Sequence, residues 1–460
     1  MFERAVTVEA LPNAFSPREL SGDELKQYYY DKTMPVRTGS PVRSPIDDIF
    51  GACHDASLSN KFLLLGHRGC GKSTELNVLS RRFEKEGFPV YTVQCARDLD
   101  MTRPLYSDLM ILMGDAMMNI AKKINCKIDK ALLDKLVHYW DGIKEVQSKI
   151  EEYENSASVG ASAKTPNILD IVLNLFVDMK SSVKLSEDVR KTYEKRIDDR
   201  LGEWISIINQ IADAIKENAN HKQPIIIFEE LDKLANIDAE QERKDKSWDL
   251  FFARPSALAS FTFPIIFTFP IALSYETRFG ALKGYFQDKF FPMIKVTTME
   301  NKKFDDGYNA IRAIIKKRAD ESLFEEKVED YLIEKTGGAL RDLFDAIRQS
   351  AIYATRREAK AISMEDAVLA LEEIQSEITR RIDSKNYSFL KDIYDGNRRG
   401  ISDKKALLEM LLAGVVLEYN GARWCNLHPL VADYLVDLGV VAKREESNQE
   451  PIVGETANEG

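Results

Sequence analysis

Eight residues constrain this chain more than any others: Gly66-His67-Arg68-Gly69-Cys70-Gly71-Lys72-Ser73, the pattern G-x-x-x-x-G-K-S. They lie between a short apolar run over 62–65, which reads as a buried strand, and a stretch over 72–86 that reads as a helix ended by Gly87. Residues 89–95 read as the next strand. Strand, helix, strand on this spacing is a βαβ unit, which requires a parallel sheet covered on both faces. The glycines let the backbone wrap so that successive N–H groups point inward, and the helix N-terminus adds partial positive charge. Such a loop is a seat for phosphate. Lys72 is expected to reach the β- and γ-phosphates of a nucleotide, Ser73 to ligate Mg²⁺ through its hydroxyl, and Thr74 to add an α-phosphate contact. The expected cofactors are therefore ATP and Mg²⁺. Cys70 fills a variable loop position, so its thiol is expected beside the nucleotide, with alkylation slowed by ATP. The competing reading is a Gly-rich turn that holds no ligand.

A phosphate loop of this kind needs carboxylates to complete the metal shell and polarise the attacking water. The run Ile225-Ile226-Ile227-Phe228-Glu229-Glu230-Leu231-Asp232-Lys233 supplies them: a hydrophobic strand that ends in acids. Glu229 takes the metal-shell position and Glu230 that of the general base. The plainer alternative is a strand capped by surface acids.

Between these two strands lie about 130 residues, more than one crossover needs, and they read as helical. Five methionines fall within 101–118 (Met101, Met110, Met113, Met117, Met118), and core filling explains them better than a ligand-binding Met surface. Residues 156–165 read as a flexible loop. Over 186–217, Val189, Tyr193, Ile197, Leu201, Trp204, Ile208, Ile211 and Ile215 recur three or four apart, the mark of one long amphipathic helix. Packing on the sheet domain is favoured for it over a protruding hairpin. Further strands are expected at 265–268 and 293–297, then helices to 382. Residues 1–44, with an aromatic run at Tyr28-Tyr29-Tyr30, read as an extended arm. From 257 to 275 no charge occurs, but Pro264, Pro270 and four hydroxyl residues favour a helix end, a buried strand and a loop over a membrane span. The five cysteines show no C-x-x-C spacing, and the first twenty residues carry charges and two prolines. The reading is a cytoplasmic protein with no signal peptide and no structural metal.

With these motifs the chain resembles the AAA+ ATPases, especially the origin-recognition and initiator branch. There the second strand is followed by D-E-x-D, which Glu229-Glu230-Leu231-Asp232 matches with Glu in first place. The longer first arm leaves metal binding intact and puts the hydrolysis rate in question. Gly337-Gly338-Ala339-Leu340-Arg341 is similar to the G-x-x-R motif that opens a lid helix, which implies a γ-phosphate contact (sensor 2) for Arg341. Thr268, at the end of its strand, takes the place of the polar sensor 1. Arg278 sits where the family has an arginine finger that enters a neighbour's site, with Arg254 as a rival. The resemblance covers about residues 45–380 and implies α/β architecture, with a P-loop NTPase domain over 45–300 and a helical lid over 301–383; the helical insertion at about 100–220 goes beyond the compact family pattern, and 384–444 form a further unit. The resemblance also implies a homo-oligomer. The large insertion looks like those of prokaryotic mobile-element and phage-defence ATPases.

The last unit is expected to carry a helix capped by Ser402 and running to 412, a hairpin of strands 415–419 and 422–427 turning at Asn420-Gly421, and a helix from His428-Pro429 to 438. Helices followed by a hairpin resemble a winged helix. DNA contact would draw on Arg398, Arg399, Lys404, Lys405 and Arg423, with docking of a protein effector as the competitor. The net charge of −10 speaks against a broadly basic surface, but half of it lies in residues 445–460, an acidic tail with five Glu and no Lys or Arg, expected to be disordered. Residues 385–445 hold nine basic against eight acidic residues, so charge leaves DNA and protein as partners.

Overall fold

A computed structural model of the 460-residue chain describes residues 3–55, 60–101, 104–159, 168–234, 250–419 and 423–444. The acidic tail, most of the expected loop at 156–165 and the Asn420-Gly421 turn lie outside the described residues. Five strands, β1 (Lys61–Gly66), β2 (Val90–Gln94), β3 (Ile225–Glu229), β4 (Ile265–Pro270) and β5 (Gln287–Phe290), form one parallel sheet in the order β2-β3-β4-β1-β5. Every residue of β1, β3 and β4 is buried. Alternate residues enter different cores, Leu63, Leu65, Phe228 and Phe267 on one face and Phe62, Leu64, Ile227 and Ile266 on the other. The apolar run with no polar face is thus the sequence image of a sheet covered twice.

Two strand expectations are corrected. Residues 293–297 form no strand; the fifth strand is Gln287–Phe290, at the sheet edge and half exposed. The 293–297 segment is largely buried and runs against the lid, where the Val296 carbonyl accepts from the Phe304 N–H at 2.9 Å. A Cβ on Gly338 would fall 1.8 Å from the Ile294 carbonyl oxygen, and the neighbouring Pro292 carbonyl accepts from Arg37 at 2.7 Å. The uncharged stretch 257–275 resolves into the end of helix Pro255–Ala259, β4 and the 3₁₀ turn Ile271–Tyr275. No helix among the described residues is long and apolar enough to cross a membrane.

The insertion between β2 and β3 is helical, and Met110, Met113, Met117 and Met118 are fully buried in the core it shares with the sheet. The single helix expected over 186–217 is two, Glu187–Asp199 and Leu201–Asn218, broken at Arg200 (φ −131°, ψ 33°). Gly202, a poor helix former, follows the break, and Arg200 leaves the helical path to bond Glu203 and lie over the Tyr139 ring. Both halves bury the same stripe, Tyr193 and Ile197, then Trp204, Ile208 and Ile211, so the periodicity runs through the break.

Helices Asp305–Arg318, Val328–Thr336, Leu340–Arg356 and Met364–Thr379 share one core. Val8, Leu11, Ala14 and Phe15 belong to that core. The stretch 1–44 is therefore no extended arm where described: it forms the short helices Leu11–Ala14, Glu24–Tyr28 and Met34–Thr38. Beyond the lid, helices Tyr387–Tyr394, Lys404–Leu412 and Pro429–Asp437 surround an antiparallel hairpin of β6 (Val416–Tyr419) and β7 (Trp424–Leu427). Helix Lys404–Leu412 is capped by Asp403, whose carboxylate accepts from the Ala406 N–H, and not by Ser402.

Candidate functional site

β1 delivers the loop to the carboxyl edge of the sheet, where open parallel sheets bind ligands. Gly69 (φ +74°) and Gly71 (φ +103°) hold left-handed conformations that other residues rarely adopt, and Gly71 caps the helix Lys72–Lys85. Lys72 is buried. Its Nζ donates to the carbonyls of Gly66 (2.8 Å) and His67 (2.7 Å) and pairs with Asp232 Oδ2 at 2.8 Å. A cleft of about 230 Å³ opens over the loop, with Gly69, Gly71, Lys72, Ser73 and Thr74 on one wall and Arg341 on another.

β3 brings the acids to the same edge. Glu229 is buried, and its Oε2 accepts from Gln94 Nε2 at 3.3 Å, while Oε1 has no hydrogen-bond partner among the described residues. Burial, opposed by the Gln94 bond and reinforced by nearby carboxylates, pushes the Glu229 carboxyl up to about 8. A buried carboxylate oxygen with no partner is the kind of donor a hard cation such as Mg²⁺ takes, and Ser73, on the cleft wall, carries a second oxygen of that kind. Glu230 adopts φ +69°; its carboxylate accepts from the Ala96 N–H at 3.2 Å and pairs with Lys233. Thr268 is buried on β4 beside Leu64, and its hydroxyl is engaged with β3, accepting from the Leu231 N–H (2.9 Å) and donating to the Phe228 carbonyl (3.2 Å). It fixes the turn that carries Glu230 and Asp232.

The lid closes the cleft. Gly337 and Gly338 (φ +61° and +87°) make the turn into helix Leu340–Arg356, and Arg341 lies so near the loop that a Cβ on Gly69 would fall 2.5 Å from its Cβ. Burial and the Arg341 charge both lower the Arg68 guanidinium below its ordinary value. Two cations thus flank one end of the phosphate seat. Arg278 lies elsewhere. Half exposed, it is near Glu276 (3.4 Å) and over the Phe252 ring, and it does not line its own chain's cleft. Arg254 is paired with Asp198 at 2.9 Å.

One loop residue differs from expectation. The Cys70 side chain is buried in the core under the sheet with Leu64, Leu76 and Phe291, and it does not line the cleft, so ATP protection of its thiol from alkylation is no longer expected. Thr74 already accepts a hydrogen bond, from the Leu20 N–H at 3.1 Å. The N-terminal segment is the part of the site that motif reading missed. Arg37 is buried with its guanidinium over Phe291 and its Nη2 3.5 Å from where a Gly71 Cβ would sit. Tyr29 donates to Glu75 at 3.0 Å, and Tyr28, Tyr29 and Tyr30 all line the cleft. The one available signal was the tyrosine run itself.

A five-stranded parallel sheet with β4 between β1 and β3, and a glycine loop wrapped around a buried lysine, decides the architecture. The fold is that of a P-loop NTPase. No protein-family model matches the sequence, and no curated protein matches it. Similar solved structures are Cdc6p of Pyrobaculum aerophilum (14% identity, 95% of this chain and 98% of that one, TM-score 0.35), the Aeropyrum pernix ORC2 protein (12%, 93% and 96%, TM-score 0.38) and a Walker-type ATPase of Pyrococcus abyssi (14%, 92% and 99%, TM-score 0.44). The assignment of the fold rests on this chain's own strand order and loop.

Proposed function

We propose that this chain is an ATPase of the AAA+ class, of the initiator-like branch, which couples its nucleotide state to assembly and to engagement of a partner. The observation that carries this reading is Lys72, buried in the loop and held by Asp232 and two loop carbonyls at a cleft that Arg341, close against Gly69, also lines. ATP enters with its phosphates on the loop. Lys72 then exchanges Asp232 for phosphate oxygens, and Arg341 and Arg68 face the γ-phosphate end. Bound Mg²⁺, held by Ser73 and Glu229, would neutralise phosphate charge. Glu230, released from Lys233, accepts the proton of the water that attacks the γ-phosphorus; the bond from that phosphorus to the β–γ bridging oxygen breaks, and ADP and inorganic phosphate leave. Arg278, outside its own cleft, serves the neighbouring copy in a homo-oligomer.

The test is Lys72→Ala, with binding of a nonhydrolysable ATP analogue measured by calorimetry and phosphate release measured separately. Loss of both is expected; retention of both refutes the reading.

A second reading, a slow switch that scaffolds a protein effector, is favoured by specific observations. Glu230 is held by Lys233, and two of the five basic residues proposed for DNA are engaged within the chain. Arg398 is buried and bonded to the Met299 carbonyl, and Arg423 is paired with Glu418 at 2.7 Å. Arg399, Lys404 and Lys405 remain for a winged-helix contact with DNA. A DNA shift assay across salt separates the readings: a slope of several counterions supports DNA, and no binding supports the effector. The insertion's likeness to those of phage-defence ATPases makes such a role part of the proposal, in the cytoplasm.

A further inference from the structure

The C-terminal hairpin is docked on the phosphate loop itself. His67, the second residue of the loop, uses its Nε2 to accept the Glu418 N–H of β6 at 2.7 Å, and both residues are buried. Burial and the Lys72 charge hold the imidazole far below its ordinary value, at about 3, so it stays neutral and Nε2 stays an acceptor. One residue on, the Tyr419 hydroxyl donates to the Gly337 carbonyl at 2.7 Å, in the turn that leads to Arg341. Pro429 of the same unit packs against that turn beside Tyr419: a Cβ on Gly337 would fall 2.8 Å from its ring. The Glu418 carboxylate accepts from Tyr275 at 2.8 Å and pairs with Arg423, whose Nη2 donates to Ser274 at 3.0 Å, in the segment that follows β4. Leu417, Tyr419 and Trp424 share a core with Leu64, Cys70 and Ala339, and the Tyr419 and Trp424 rings stack at 4.7 Å. Two strands of four residues thus touch the loop, the lid turn and the segment after β4 together.

We infer that the hairpin braces the nucleotide site from outside the cleft, with His67 and Tyr419 as positioning residues that tie the phosphate loop and the Gly337-Gly338 turn to the C-terminal unit. This rests on the nucleotide reading above and deepens it. A loop that rearranges around phosphates either keeps the His67–Glu418 bond, and so binds best with the hairpin docked, or breaks it and leaves two buried polar groups without partners. In both cases docking and nucleotide affinity are linked, and linkage is reciprocal. The signal therefore need not pass through rigid-body motion of the lid; it reaches the C-terminal unit across one hydrogen bond.

The test uses the full chain. Affinity for a nonhydrolysable ATP analogue is measured for wild type, Lys72→Ala, Tyr419→Phe, His67→Leu and His67→Gln. Amide exchange of peptides spanning 415–428 is followed in wild type with and without the analogue. Tyr419→Phe deletes one hydroxyl that does not line the cleft over the loop. It is expected to weaken binding about fivefold or more, within the usual range of coupling, and His67→Gln, which keeps an acceptor, to bind tighter than His67→Leu. The analogue is expected to change 415–428 exchange, a readout that needs no variant to fold. Wild-type affinity in both Tyr419→Phe and His67→Leu, with 415–428 exchange unaltered by the analogue, overturns the inference while wild type still binds and Lys72→Ala does not. Failure of wild type itself to bind overturns the nucleotide reading and this inference together.

Discussion

Glu229 makes the sharpest physical prediction. Its carboxyl is buried, has one oxygen without a partner, and is pushed up to about 8 from an ordinary value of 4.5. Below pH 4.5 the group is protonated in folded and unfolded chains alike and contributes nothing. Between 4.5 and about 8 the unfolded chain loses the proton while the folded one keeps it, so stability falls as pH rises. Above 8 the penalty is complete, at a ceiling of about 5 kcal/mol for the metal-free protein. Glu229→Gln removes the titration. The amide keeps an acceptor for Gln94 but brings an N–H with no acceptor, which costs about 1–3 kcal/mol. Well above pH 8 the net gain is therefore at most about 2–4 kcal/mol, a little less at pH 8 itself, shrinking and then reversing towards pH 5. Calorimetric melting in EDTA at pH 5, 6.5 and 8 reads this out; in a unit of 150–250 residues 2 kcal/mol is about 4–8 °C. With Mg²⁺ and an ATP analogue present the order should invert, since only wild type gains a metal ligand. A difference in melting temperature between variant and wild type that does not change with pH would refute the reasoning.

Two other outcomes follow from the same geometry. Gly69→Ala puts a Cβ where φ is +74° and 2.5 Å from the Arg341 Cβ, so analogue affinity should fall at least tenfold (about 1.4 kcal/mol) with the circular dichroism spectrum unchanged. Arg278→Ala should leave analogue binding intact and lower phosphate release, with activity partly restored when it is mixed with Glu230→Gln, because each copy supplies what its neighbour lacks.

The parts of this fold that can be read from the sequence are those with local causes. β1, β3 and β4 announce themselves as unbroken apolar runs, and the loop by its glycines. β5 hides because Gln287-Asp288-Lys289-Phe290 is an edge strand with exposed polar residues. Residues 293–297 mislead because burial, not pairing, made them apolar. The break at Arg200 is invisible to periodicity when both halves bury one stripe. In the site, the loop pattern marks Lys72, an apolar strand ending in acids marks Glu229, and Arg341 stands out only through the family resemblance. Arg37, Tyr29 and the hairpin contact of His67 do not stand out, because nothing local marks a bond between residues 351 apart. Cys70 was misplaced for the same reason: the loop pattern fixes the backbone and leaves side-chain direction to the core beneath.

That separation also sets a timetable for synthesis. At about 5–20 residues per second, roughly 18–70 s pass between the addition of His67 and the addition of Glu418. Through that interval the imidazole has no amide to accept from, and Leu64 and Cys70, joined late by Ala339, lack the cover of Leu417, Tyr419 and Trp424. A ribosome that stalls before β6 releases a chain with its loop formed and an apolar face bare, a substrate for chaperones and proteases.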